Sequence, residues 1–268
     1  MSVRVRRRFA PALLVALLAS ASAGCDIVTA DLRSEETSQW QKTYTLDANG
    51  RVEIGNVNGK IRVEPSSGNT VEITAIKKAR GATPEQAKAA LERATIVENV
   101  SAGSIKIETR ITRLEGIVFN GGNLQVEYLV RVPAGAEMRA TTVNGGIEIA
   151  GLKGRVTAET TNGGVEARSV SGQLEASTTN GGLDIDLESI AEGGVKLECT
   201  NGGIKVRLPR DAKATISASI TNGGISAGDL AIDATGENSR RRLEGRMNGG
   251  GPRLQIAGTN GGISLSGR

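Results

Sequence analysis

The chain has no histidine, so the side chains left for chemistry are carboxylates, lysines, hydroxyls and two cysteines. Without imidazole there is no Ser-His-Asp or Cys-His nucleophile, no histidine general base and no histidine metal ligand. Carboxylate pairs, as in glycoside hydrolysis, are the one catalytic chemistry still open. Enzymes of that kind hold sugars against aromatic rings, and aromatic residues are only 2% of this chain. The expectation is therefore a non-enzymatic protein with no cofactor. The alternative is a carboxylate-dependent, polysaccharide-acting envelope enzyme on a β-helix.

Three acids recur at one place in a repeat. Glu148, Glu166 and Asp184 each lie four positions after the asparagine of an Asn-Gly-Gly triplet. On stacked strands they would form an outward row, a candidate weak cation-binding ladder using oxygen ligands. Lys205 and Ser226 occupy the next equivalent positions and interrupt the row, and no compact Asp/Asn loop accompanies it, so no metal is assigned. Arg168, Asp186 and Arg207, two positions further on, predict alternating charges on neighbouring strands. Threonines directly before the triplets (Thr161, Thr179, Thr200, Thr221 and Thr259) predict a second outward row of good strand formers. Cys199 lies two before Asn201, aligned with Thr142, Thr160, Thr178 and Ile220, and alternation points it inward as a small buried hydrophobe.

These positions take their meaning from the element that carries them. Asn-Gly-Gly begins at Asn120, Asn144, Asn162, Asn180, Asn201, Asn222, Asn248 and Asn260, with a related Asn58-Gly59. From Asn144 to Asn222 the spacings are 18, 18, 21 and 21, a period that marks a stacked repeat. Apolar residues flank each triplet with period two: Val156 and Ala158 before Asn162, Val165 and Ala167 after it, and likewise in the other units. Each unit therefore reads as strand, corner, strand. The predicted fold is all-β, a parallel β-solenoid (single-stranded β-helix-like) with short coils of about 18–21 residues, regular over about 136–268, and Asn144, Asn162, Asn180, Asn201, Asn222 and Asn260 as structural corners. Equivalent residues would sit about 4.8 Å apart in columns. Because Asn-Gly also makes type I′ hairpins, an antiparallel meander is the competing arrangement. One inserted helix is predicted at about 84–95, with Thr83 as N-cap, Pro84 at its first position and Gln86 completing a capping box.

The N-terminus reads as an export signal. Arg4, Arg6, Arg7 and Arg8 precede an apolar stretch from Phe9 to Leu18 and then small residues, so 1–24 is a predicted signal peptide. Ser22-Ala23-Gly24-Cys25 resembles a lipoprotein lipobox, with Ser22 where that motif carries leucine; it implies lipidation at Cys25, a tether over 25–39 and the fold over 40–268. Cleavage before Gly24, after Ala21-Ser22-Ala23, is the other reading. The predicted location is the cell envelope, periplasm-facing or at the surface, on a membrane through the N-terminal lipid.

A pI near 9.2 suggests nucleic acid, but the signal segment carries the excess. Taking its four arginines from 33 basic residues leaves 29, matching 29 acids. A neutral surface has no general attraction for phosphate backbones, so no nucleic-acid partner is expected.

Residues 40–268 resemble a bacterial β-strand-repeat family of unknown function described as adhesin-like. The resemblance is carried by Asn58-Gly59-Lys60-Ile61, the inserted helix, the Asn-Gly-Gly-Ile/Val/Leu series, and Gly249-Gly250-Gly251 followed by Leu254 to Leu265. It implies a scaffold or adhesion-like binding module with an envelope protein or polysaccharide as partner, and supplies no catalytic residues. A purely structural spacer is the bland alternative.

Overall fold

The strand pairings follow the repeat. The computed structural model describes residues 34–112, 124–236 and 238–268. The signal segment, Cys25 and Asn120 lie outside the described residues. Residues Arg33–Arg268 make one compact unit.

Two faces are built from the two arms of each unit. The first runs β6 (Ser104–Ile111), β2 (Arg51–Gly55), β8 (Glu137–Asn144), β10 (Val156–Asn162), β12 (Leu174–Asn180) and β14 (Val195–Asn201), each parallel to the next. The second runs β7 (Leu124–Pro133), β3 (Ile61–Ser66), β9 (Ile147–Ala150), β11 (Val165–Val170), β13 (Leu183–Leu187) and β15 (Ile204–Leu208), again parallel. Register is one repeat: Ile185 pairs with Ala167 on one side and Val206 on the other. A meander would instead pair β12 with β13 across Asn180, whereas β12 pairs with β10 and β14, and β13 with β11 and β15.

The columns of valine, isoleucine, leucine and alanine expected to face inward are buried from Val52 and Ile54 through Val156, Ile185 and Val206 to Leu254 and Leu265, except that Ile225 and Ala227, in the last coil, are half-buried. They form one continuous cluster, so the core is long and one coil thick.

Two departures correct the expected architecture. Antiparallel strands flank the parallel coils at both ends, so the sheet is mixed and the fold is all-β and solenoid-like, not a parallel solenoid throughout. At one end β4 (Thr70–Gly81) runs antiparallel to β7, β1 (Ser34–Thr45) to β4, and β5 (Ala94–Ser101) to β6. At the other end β18 (Arg242–Met247) runs antiparallel to β16 (Ala214–Ser226), and β17 (Ile232–Ala234) to β18. The coils also leave sequence order. The last strand, β19 (Arg253–Gly267), lies between β14/β15 and β16, so the corner after Asn201 is Asn260, and Asn222 comes last. The hairpin partner β18 holds the outer edge of β16, leaving the inner edge for β19. The successive corners expected from Asn144 to Asn222 therefore hold only as far as Asn201.

Helix α1 (Pro84–Glu92) begins as expected. The Gln86 N–H donates to Thr83 Oγ1 at 3.3 Å, and Gln86 Oε1 accepts from the Ala82 N–H at 3.1 Å. It stops before the expected end, because Thr95, Ile96 and Val97 are β-branched and enter β5. Its buried Ala87 and Leu91 face the terminal strands. The first strand starts at Ser34, inside the segment expected to be a tether, because Ser34–Gln39 already pair with Ile76–Gly81.

Candidate functional site

The site that the repeat builds is the corner strip. The first glycine of each triplet needs a backbone that side chains rarely adopt: Gly163 has φ +154°, and a Cβ there would meet the Gly145 carbonyl oxygen at 2.0 Å. With glycine in place the coils approach closely, and the Gly163 N–H donates to the Asn180 carbonyl at 2.8 Å. The asparagine side chains then join in a ladder. Asn144 Nδ2 donates to Asn58 Oδ1 at 2.7 Å, Asn162 to Asn144 at 2.8 Å, Asn180 to Asn162 at 2.9 Å and Asn201 to Asn180 at 3.0 Å. Asn260 continues to Asn201 at 2.8 Å and Asn222 to Asn260 at 2.9 Å. All six asparagines expected as corners are in this ladder, and Asn58 extends it. Asn248 is not, despite its triplet. Its side chain donates to the Arg210 and Ala212 carbonyls at 2.9 and 2.8 Å.

On the inner side of the corner, threonine hydroxyls reach across to the coil beside them. Thr160 donates to Gly145 O at 2.9 Å and Thr178 to Gly163 O at 2.7 Å. Cys199 takes the same place, its Sγ 3.3 Å from Gly181 O, and burial pushes the thiol pKa up. The inward reading of this column is right, but the neighbour of Cys199 beyond β14 is Gly258, since β19 intervenes before Ile220. Sequence reasoning missed these hydroxyl–carbonyl bonds. The recurrence of Thr two positions before Asn was their only signal.

On the outer side, Thr161, Thr179, Thr200, Thr259 and Thr221 are exposed, in that spatial order, beside the asparagines. On the opposite border of the corner, Gly146, Gly164, Gly182 and Gly203 line an open trough of about 430 Å³ with Lys60, Glu148, Glu166, Asp184 and Lys205 along it.

The acidic row is in register, Glu148 beside Glu166 and Glu166 beside Asp184. Each acid, however, already has a cation. Glu148 meets Lys60 Nζ at 2.5 Å and Arg62 at 2.8 Å, Glu166 pairs with Arg168, and Asp184 meets Arg207 at 2.7 Å. Lys60, foremost, holds the Glu148 carboxyl below its ordinary range. An added cation would have to displace these partners. Among the described residues no group of three or more Asp, Glu or Cys side chains converges on a metal-sized site. The alternating row holds in part: Asp186 lies beside Arg207 as expected, but the register of β11 with β13 shifts between Ala167 and Val170, so Arg168 does not stand opposite Asp186 and pairs with Glu166, while Asp186 meets Arg268 at 3.3 Å. Among the described residues no helix is long and apolar enough to cross a membrane.

Comparison with known proteins finds distant likenesses among solved structures. A candidate cell adhesion protein from Clostridium sporogenes is 12% identical, with 86% of this chain and 100% of that chain covered at a TM-score of 0.44. A candidate adhesin from Bacteroides fragilis is 11% identical, covering 86% and 97% at 0.38. A candidate lipid-binding protein from Parabacteroides distasonis is 10% identical, covering 87% and 97% at 0.26. Likeness this distant says nothing about what the chain binds. No curated protein matches it. The Toastrack family model, DUF4097, matches residues 47–266, and the chain belongs to that family.

Proposed function

We propose that this chain is a non-enzymatic envelope scaffold, held at a membrane by a lipid on Cys25, whose corner strip is an adhesion-like binding surface. One observation carries the reading: the exposed threonine row runs in register beside the asparagine ladder, giving uncharged hydrogen-bonding groups repeated about every 4.8 Å. A repeated, uncharged, open strip matches an extended, hydroxyl-rich polymer better than a compact ligand, which needs a concave site. Polysaccharide of the envelope is the partner of that chemistry.

The test is co-sedimentation of the mature chain carrying Cys25→Ser with insoluble envelope polysaccharide. Thr179→Lys with Thr200→Lys should abolish retention while leaving the far-ultraviolet spectrum unchanged. Equal retention of the double variant would overturn the strip as the binding surface. Release of new reducing ends, lost on Glu166→Gln, would favour the enzyme instead. Cys25→Ala should move the full-length protein from membranes to the soluble fraction, since an acyl anchor would be its main membrane attachment. Native protein wholly in the soluble fraction would overturn the anchor.

A further inference from the structure

The stack is closed at one end and open at the other. At the closed end β16 has β18 on its outer edge, and further along the Ile220 and Ile225 N–H groups donate to the Arg241 and Arg240 carbonyls. At the open end the long edge is β1. All twelve of its residues pair with β4, and among the described residues that is the only strand it pairs with. An unpaired edge of this length is a template for another strand.

The charges of β1 indicate which strand. Glu35 is bonded to Arg80 at 2.8 Å. Glu36 and Lys42 have no ion pair or hydrogen bond among the described residues. They lie six positions apart, hence on one face of the strand, the face that also carries Trp40 and Tyr44, packed against the core.

We propose that β1 pairs antiparallel with β1 of a second copy about a two-fold axis at Gln39. In that register Glu36 stands opposite Lys42 of the second copy, and Lys42 opposite its Glu36, so both unpartnered charges are matched twice. Directly opposed side chains in such a pair have Cβ atoms about 4.5–5.5 Å apart, within ion-pair reach. Ser38 stands opposite Trp40 of the second copy, which leaves room for the indole. Shifting the axis by one residue to either side puts Glu36 opposite Trp40 or Tyr44 and leaves the charges unmatched. The other open edge at this end, β5, has Glu98 as its only charged residue, so self-pairing would neutralise nothing there. An isologous contact of this kind closes on itself and does not propagate into fibres.

The mature chain carrying Cys25→Ser should show a concentration-dependent dimer mass by sedimentation equilibrium. Glu36→Lys or Lys42→Glu alone places like charges opposite each other and should weaken the dimer by about tenfold or more. The double swap, Glu36→Lys with Lys42→Glu, should restore it, which a folding defect would not do. Under mild oxidation Gln39→Cys should give a disulfide dimer, and Gln41→Cys, opposite Thr37, should not. A monomer at the highest concentration reached, dimers indifferent to both single swaps, or no crosslink at position 39 would each overturn the proposal.

Discussion

Asn201 and Asn260 are 59 positions apart in sequence and adjacent in space, the side-chain amide of Asn260 donating to Asn201 Oδ1 at 2.8 Å. Asn201 in turn donates to Asn180 at 3.0 Å, so it makes two rungs. Asn222, at the end of the ladder, makes one, to Asn260 at 2.9 Å. A typical intramolecular hydrogen bond contributes about 0.5–1.5 kcal/mol net. Asn201→Ala should therefore destabilise by about 1–3 kcal/mol in chemical denaturation, and Asn222→Ala by about half as much. Equal costs would mean that the amide ladder adds little to the backbone pairing beneath it.

Cys199 gives a test of the inner column. It is 4% exposed and its thiol pKa is raised by burial, so both access and thiolate fraction oppose reaction. In the mature chain carrying Cys25→Ser, thiol reagent should react only on unfolding. Cys199→Ser should cost within about 1 kcal/mol, less than an orphaned buried hydroxyl, because the Gly181 carbonyl awaits a donor as Gly163 O does for Thr178. Fast labelling of the folded protein would contradict the column.

Glu148 makes stability depend on acid. Lys60 and then Arg62 depress its folded pKa, so its contribution is present above the ordinary carboxylate value of about 4.3 and is lost as pH falls through the depressed value. Glu148→Gln should cost about 0.5–1 kcal/mol at neutral pH, and the gap should close on acidification and shrink in high salt. A gap constant with pH would assign the effect to packing.

How much of this was legible before the structure depends on the separation of the residues involved. The rung from Asn162 to Asn180 and the pairing of Ala167 with Ile185 could be read directly, because period and alternation fix which side chains share a column. Short connections between these strands leave no length to skip a coil. The place of Asn260 was not legible. Its triplet resembles the others, and nothing local shows that β18 occupies the edge of β16. The partners of Glu148 were hidden for a similar reason, since Lys60 and Arg62 reach it from 88 and 86 positions away. The shift at Arg168 and Ser169, where Ser169 has φ +52°, falls on residues with no sequence mark of a bulge.

The insertion of β19 predicts that a shorter truncation does more damage than a longer one. A chain ending at Leu208 keeps every parallel coil from β6/β7 to β14/β15 and loses the terminal cap, with its Arg268–Asp186 contact. A chain ending at Pro252 keeps more residues but removes the strand that separates and joins β14/β15 and β16. It leaves Ile216, Ala218 and Ile220, all buried in the intact protein, with no parallel neighbour. Burial of such side chains contributes about 1.5–3 kcal/mol each for the larger ones, so the hairpin of β16 and β18 should hang unfolded and expose them. The expected result is a cooperative melt with little dye binding for the chain ending at Leu208. The chain ending at Pro252 should instead melt less cooperatively, with added apolar-dye binding and aggregation. If it melts as sharply as the longer truncation, β16 can dock directly on β14 and β15, and the central place of β19 is not required for folding.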